Sequence, residues 1–95
     1  MCWDIKFTKR AAKQTRQLSQ RVKSALRLLI KDLQTKGPTA EKWPNYSKLK
    51  GLNGDKRHCH ILKGRPTYVC CWEVLNKQIK LIEVYYVGTH EKAPY

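Results

Sequence analysis

Three histidines and one tyrosine are the side chains of this sequence best suited to acid–base chemistry. His58 and His60 are two residues apart, and His90 and Tyr95 follow an apolar run that stops at Gly88. Histidine titrates near neutral pH, so that it can serve as a general base or as a general acid. We therefore expect proton-transfer chemistry where the fold brings these side chains together.

Cleavage of RNA without a metal ion is the reaction that fits histidines on a basic chain. The 2′-hydroxyl of RNA is its own nucleophile, and an enzyme must supply a base, an acid for the leaving 5′-oxygen, and positive charge near the phosphate. Arg57, Lys63 and Arg65 are the nearby candidates for the phosphate contacts. No Asp/Glu cluster suited to a two-metal nuclease is evident, and no cofactor is expected.

The net charge indicates an anionic partner. Lys and Arg number 20 and Asp and Glu number 7, which gives +13 at pH 7. An excess of this size favours nucleic acid as the partner. A membrane surface or an acidic protein is the alternative, and an acidic protein is also compatible with nucleic acid because one can mask the site of the other.

The length of 95 residues predicts one small domain spanning 1–95. There is no apolar stretch of about 18 residues, and the start of the chain lacks the features of a signal peptide. We therefore expect a cytoplasmic protein whose four cysteines are free thiols. A zinc site that combines cysteines with His58 or His60 is the weaker alternative, because no C-x-x-C pair is present.

The first 37 residues predict a strand followed by helices. Residues 2–7 alternate between apolar and polar, which is typical of a half-buried strand, and 9–36 carry apolar residues at helical spacing. The periodicity alone also fits one helix, but about 28 residues would span about 42 Å, which is long for a domain of this size. We therefore predict a helical hairpin broken near Ser19, with Thr8 and Ser19 as N-caps and Gly37 after its end.

The second half of the chain predicts a loop and three strands. Residues 38–56 form a long loop, in which Trp43 and Tyr46 either pack on the core or stack on RNA bases. Short turns then join strands at 57–63, 66–74 and 78–87 into an antiparallel meander. The expected fold class is α+β, in the order strand, helix, helix, three strands, with the helical hairpin on one face of the sheet and ligands on the other.

Alternation along the strands assigns side chains to the two faces of the sheet. His58 and His60 share the open face. Cys59, Trp72 and Tyr86 are assigned to the face that packs on the helices. The last two strands leave the choice open, because both of their faces carry apolar residues.

The order of elements and two motifs resemble the RelE/ParE superfamily of bacterial toxins. The similarity is strongest to the RelE-like and YafQ-like mRNA interferases of type II toxin–antitoxin systems, and it covers essentially the whole chain. The matching segments are Lys48-Leu49-Lys50-Gly51, Arg57-His58-Cys59-His60-Ile61 and Val87-Gly88-Thr89-His90 with a following aromatic residue.

The resemblance implies a toxin that enters the A site of the 30S subunit, where the 16S rRNA lies, and cleaves the bound mRNA. The products are a 2′,3′-cyclic phosphate or 3′-phosphate and a 5′-hydroxyl, translation stops, and a cognate antitoxin neutralises the toxin. By motif, His60 and His90 match catalytic histidines of the YafQ type, Tyr95 is near the C-terminal aromatic residue, and Lys63 is near a strand lysine of RelE. Further candidates for binding RNA phosphate are Lys48, Lys50 and Lys92.

Two departures from the family pattern leave the general base open between His60 and His58. Ser47 stands where the YafQ type has a loop histidine, and Gly64 and Arg65 stand where it has an Asp-Trp pair. Two other functions also remain as alternatives. One is a toxin of the ParE branch that inhibits DNA gyrase without cutting RNA, and the other is a basic RNA-binding module without catalysis.

Overall fold

A computed structural model describes residues 2–95 of the chain. The elements, in chain order, are β1 (Asp4–Phe7), α1 (Lys9–Arg16), α2 (Gln20–Lys36), β2 (Ser47–Lys48), β3 (Asp55–Leu62), β4 (Tyr68–Asn76) and β5 (Leu81–Thr89), followed by one 3₁₀ turn (His90–Lys92). The predicted α+β class is confirmed. None of the helices in this part of the chain is long and apolar enough to cross a membrane.

The sheet is larger and more mixed than the sequence predicts. Its strand order is β1-β5-β4-β3-β2, and β3, β4 and β5 form the expected antiparallel meander. β1 runs parallel to β5, so the sheet is not purely antiparallel. β2 pairs antiparallel with β3 inside the segment predicted as loop. Two residues are too few for an alternating pattern, which is why the sequence did not reveal this strand.

The helical hairpin breaks where it was predicted. Thr8 Oγ1 accepts a hydrogen bond from the Ala11 N–H at 3.0 Å, and Ser19 Oγ accepts one from the Val22 N–H at 3.4 Å. These are N-caps of α1 and α2, and each satisfies a backbone donor that has no partner within its helix. Gly37 ends α2 at φ 90°, and a Cβ there would lie 3.0 Å from Trp3 Nε1. Both the dihedral angle and the close indole therefore favour glycine.

The main core lies between the helices and one face of the sheet. The helices contribute one buried stripe each, and the strands contribute their residues that face the helices. These buried side chains include Ala11, Val22, Leu26, Leu29, Leu33, Cys59, Ile61, Cys70, Trp72, Ile82, Val84 and Val87.

A bulge in β5 changes the face of the sheet on which Tyr86 lies. Cys71 pairs with Tyr86 and the next residue, Trp72, pairs with Val84, so Tyr85 is an extra residue on β5. An extra residue in one strand reverses the alternation beyond it. Tyr86 therefore packs with Cys71 in a second cluster, and its assignment to the helix side is wrong.

The long connection between α2 and β3 is docked on the core. Trp43 Nε1 donates to Asp32 Oδ2 at 2.9 Å, and the Tyr46 ring stacks on Trp72 with centroids 6.1 Å apart. Both aromatic side chains pack against the main core. The prediction that these residues pin the loop to the core is confirmed.

Arg57 is the polar residue that fastens this connection to β3. Its side chain is 4 % exposed, and its Nη1 donates to Thr39 Oγ1 at 3.0 Å and to Tyr46 Oη at 3.2 Å. Its Nε and Nη2 donate to the two carboxylate oxygens of Asp55 at 2.9 Å and 3.0 Å. The hydrogen bond from Arg57 is the main cause that lowers the pKa of Asp55. The guanidinium is therefore a paired structural group.

We expect Asp55→Asn to lower the free energy of unfolding at pH 7 by about 1–3 kcal/mol, because it leaves a buried guanidinium without its anionic partner. The pKa of Asp55 is lowered in the folded state, so its contribution is present above the unfolded pKa and is lost as the pH falls through the folded pKa. Urea unfolding at pH 7 and at pH 3 measures both effects. Asp4→Asn, at an exposed position, is the control. Equal stability of wild type and Asp55→Asn at pH 7 would contradict the assignment.

Candidate functional site

His58, His60, His90 and Tyr95 converge on the open face of the sheet, and we call them the histidine–tyrosine cluster. The ring centroids of His60 and His90 are 5.2 Å apart, and those of His58 and His60 are 6.1 Å apart. The Tyr95 ring is 4.4 Å from His58 and 6.1 Å from His90. Four side chains from two distant parts of the sequence thus form one continuous group.

The backbone brings these residues together through the sheet and a bend after it. His60 lies on β3, where its N–H donates to the Pro44 carbonyl at 2.8 Å. At the end of β5 the His90 N–H donates to the Thr67 carbonyl at 2.8 Å, which ties the 3₁₀ turn to the beginning of β4. Ala93 then packs against the second cluster on the open face. The chain after β5 is therefore folded back over the sheet, and Tyr95 comes to lie above β3.

Burial lowers the pKa of two of the histidines. His58 is 7 % exposed, and burial is the largest cause of its lowered pKa, while hydrogen bonding to the backbone of Ser47 opposes the shift. The pKa of His60 is lowered by burial first and then by the charges of His90 and Lys63. A histidine with a lowered pKa is neutral at pH 7, and a neutral imidazole is the form that accepts a proton.

Tyr95 covers part of this group while keeping an accessible ring. Its side chain is 45 % exposed, and burial of its remaining part raises the pKa of Tyr95 to about 12. The phenol therefore stays protonated near neutral pH. It is able to donate a hydrogen bond and to stack, but it does not act as a base in this pH range.

The cations predicted to contact phosphate do not all lie at this cluster. Lys63 and Arg65 are exposed in the connection between β3 and β4, and Arg65 and His90 line the same open pocket. Lys92 lines a different groove, which lies between α1 and β5 and also contains Arg10. Lys63 is thus close enough to His60 to lower its pKa, and Arg65 shares a pocket with His90.

The remaining predicted cations lie on β3 itself and on the side of β3 that pairs with β2. Lys48 is exposed on β2 and pairs with Arg57, and Lys50 is exposed just beyond it. Arg57 itself is buried in the pairing with Asp55, and strand alternation directs it away from His58. The structure therefore leaves Arg57 unavailable for an RNA phosphate.

The cysteines are free in the part of the chain that the structure describes. Cys59, Cys70 and Cys71 are buried, and burial raises the pKa of the Cys59 and Cys71 thiols to about 12. Thiols with such a pKa are unreactive near neutral pH. No three His, Cys, Asp or Glu side chains within residues 2–95 are arranged to hold a metal ion.

Ser47 is a site residue that sequence reasoning missed. The sequence placed it where a related toxin type has a histidine, but gave it no role. In the structure its Oγ is 3.3 Å from His58 Nδ1. The only signal in the sequence was that position, because the contact depends on the pairing of β2 with β3.

Comparison with solved structures shows the same fold in several toxins. A mutant of the E. coli toxin RelE in the free state matches with a TM-score of 0.74 and 22% identity over 98% of this chain and 88% of that chain. The archaeal RelE-RelB complex from Pyrococcus horikoshii matches with a TM-score of 0.70 and 18% identity over 98% of this chain and 100% of that chain. The E. coli DinJ-YafQ toxin-antitoxin complex matches with a TM-score of 0.69 and 19% identity over 100% of this chain and 100% of that chain.

These matches establish a RelE-like fold for this chain. No family model and no curated protein matches the sequence. At identities of this level the likeness concerns the arrangement of the backbone, and function has to be argued from the residues of the site.

We expect the free energy of unfolding to fall as the pH is lowered from 7 to 5, because the folded state resists protonation of His58 and His60. Their pKa values are lowered on folding, so the unfolded chain binds more protons in this window and acid favours unfolding. Urea unfolding across the window should show a smaller pH dependence for His58→Gln than for wild type. Titration of the histidines by NMR checks the same point directly, and a His58 pKa above the ordinary value of 6.5 would contradict it.

Proposed function

We propose that this protein is the toxin of a type II toxin–antitoxin system and that it cleaves mRNA on the ribosome by metal-free acid–base catalysis. The observation that carries the proposal is the pair of imidazoles, His60 and His90, whose ring centroids are 5.2 Å apart on the open face of a chain of net charge +13. The RelE-like fold supports it, since solved structures with this fold include E. coli RelE and YafQ.

His60 is the general base in this proposal. Its lowered pKa keeps the imidazole neutral, so that it takes the proton of the ribose 2′-hydroxyl. The 2′-oxygen then attacks the adjacent phosphorus, and the bond from phosphorus to the 5′-oxygen breaks. The products are a 2′,3′-cyclic phosphate and a free 5′-hydroxyl.

His90 is the general acid. It is exposed at the start of the 3₁₀ turn, and its ring centroid is 5.2 Å from that of His60 and 6.1 Å from that of Tyr95. In its imidazolium form it gives a proton to the leaving 5′-oxygen, and the reaction needs no other proton donor. After one turnover His60 carries the proton and His90 has lost one, so exchange with water restores both.

The charge that builds on the phosphate is balanced by nearby cations. Lys63 lies close enough to lower the pKa of His60, and Arg65 shares a pocket with His90. Both are exposed and are free to move onto a phosphate oxygen. Tyr95 offers an exposed aromatic ring beside His90, on which an RNA base stacks.

Substitution of His60 or His90 by alanine should lower the rate of mRNA cleavage on programmed ribosomes by about 10²–10⁴-fold, because each removes a proton-transfer group. The 5′-fragment of wild-type cleavage should carry a 2′,3′-cyclic phosphate or a 3′-phosphate. Gln78→Ala, in the connection between β4 and β5 at the far end of the sheet, is the control.

Undiminished cleavage by both histidine variants would contradict the site assignment. Wild-type protein that binds RNA but never cuts it would support a basic RNA-binding module, and inhibition of DNA supercoiling without cleavage would support a gyrase inhibitor. The three candidate functions therefore give different results in the same set of assays.

A protein antitoxin is the second partner that we propose. Two of the similar structures are complexes of RelE with RelB and of YafQ with DinJ. In this chain an open groove beside the helices has an apolar floor that includes Phe7, Leu26 and Ile30. Its rim is basic and consists of Lys23, Arg27 and Lys31. An acidic amphipathic helix fits a groove of this character.

The neighbouring reading frame should encode a small acidic protein that binds this groove and blocks cleavage. Ile30→Glu places a negative charge in the groove and should weaken binding of that protein at least tenfold, as measured by calorimetry. Leu28→Glu changes an exposed leucine outside the groove and should leave the affinity unchanged. Equal affinities of the two variants would place the antitoxin elsewhere.

A further inference from the structure

Ser47 and His58 form a contact that the proposed reaction does not use. β2 has only two residues, and its pairing places Ser47 directly opposite His58. Residues directly opposite in an antiparallel pair have their side chains on the same face. The Ser47 hydroxyl is 3.3 Å from His58 Nδ1, and it is the only side-chain hydrogen-bond partner of the three histidines within residues 2–95.

The surroundings of His58 make it a poor candidate for direct contact with RNA. It is 7 % exposed, while His60 is half-buried and His90 is exposed. The Tyr95 ring covers it at a centroid distance of 4.4 Å and an angle of 49°. A side chain enclosed in this way supports its neighbours, and Tyr95 is the neighbour that rests on it.

The contact with Ser47 bears on the tautomer of the His58 ring. A neutral imidazole carries one proton, and the hydrogen bond made by one nitrogen decides which nitrogen holds it. Hydrogen bonding to the backbone of Ser47 raises the pKa of His58, which is the effect expected when a ring N–H donates to a carbonyl. The nitrogen that faces Ser47 is Nδ1. A proton on Nδ1 agrees with this effect and leaves Nε2 as the acceptor.

We infer that Ser47 and His58 are a positioning pair: the Ser47 hydroxyl accepts the Nδ1 proton of His58, and the ring held in this way fixes Tyr95 beside His90. This inference deepens the proposed function and rests on it for its catalytic consequence. In this inference His60 is the base that acts on RNA, and His58 acts through Tyr95. Ser47 stands where the YafQ type has a loop histidine, and the pairing of β2 with β3 gives it this role.

The tautomer of His58 tests the inference without any RNA. In ¹H–¹⁵N long-range spectra at pH 7, the wild-type ring should be the Nδ1–H tautomer. Ser47→Ala should make the Nε2–H form detectable, and Ser47→Thr, which keeps the hydroxyl, should restore the wild-type spectrum. An Nε2–H ring in the wild type, or identical spectra for wild type and Ser47→Ala, would overturn the inference.

Cleavage measurements test the consequence for Tyr95. The single-turnover rate for Ser47→Ala should be about five- to tenfold lower than for wild type, as expected for one lost hydrogen bond, and Ser47→Thr should recover it. In a Tyr95→Ala background the same serine substitution should have no further effect, because the pair acts through Tyr95. If the effects of the Ser47→Ala and Tyr95→Ala substitutions on the cleavage rate are additive, the inference that the pair acts through Tyr95 is overturned.

The two arms separate the inference from the proposed function. If wild-type protein cleaves no RNA, the proposed function fails, while the spectra still decide whether Ser47 sets the tautomer of His58. If cleavage occurs and the spectra show an Nε2–H ring, the function stands and the positioning pair does not. Ser24→Ala, at an exposed position of α2, is the control in both arms.

Discussion

The alternation of side chains along β3 is the constraint on which the rest of this structure depends. A strand directs successive residues to opposite faces, and β3 uses both of its faces fully. Arg57 and Cys59 face the helices, where one fastens a loop and the other is part of the core. His58 and His60 face the other way and form half of the histidine–tyrosine cluster. A shift of one residue in its pairing would place a guanidinium in the cluster and imidazoles in the core.

The same strand couples stability to the geometry of the site. The guanidinium of Arg57 joins Asp55 to Thr39 and Tyr46, and it thereby docks the connection that leads from α2. That connection carries β2, whose Ser47 contacts His58. A buried pair that looks purely structural therefore holds in place a residue of the site. Fixed supports of this kind are what a catalytic arrangement needs, since small displacements of reacting groups cost a large part of the rate.

β5 and the chain after it contribute the second half of the site by different means. β5 carries a bulge at Tyr85, beyond which Tyr86 packs with Cys71 on the open face. The hydrogen bond from His90 to Thr67 then turns the chain, and Ala93 packs against the second cluster. Because Tyr95 is held by packing and by ring contacts, its position depends on the side chains beneath it. His58 is the nearest of these rings.

The sequence by itself determined the class of the fold, the two N-caps, the break between the helices and the basic character that favours an anionic partner. It also picked out His58, His60 and His90, because histidines are few in the chain and strand spacing is short-range information, and it picked out Tyr95 by its place after the last strand. Tertiary structure alone decided the parallel pairing of β1, the two-residue β2, the facing of Tyr86, the burial of Arg57 and the contact of Ser47 with His58. Each of these depends on residues far apart in sequence, and local periodicity carries no information about which distant backbone supplies the partner.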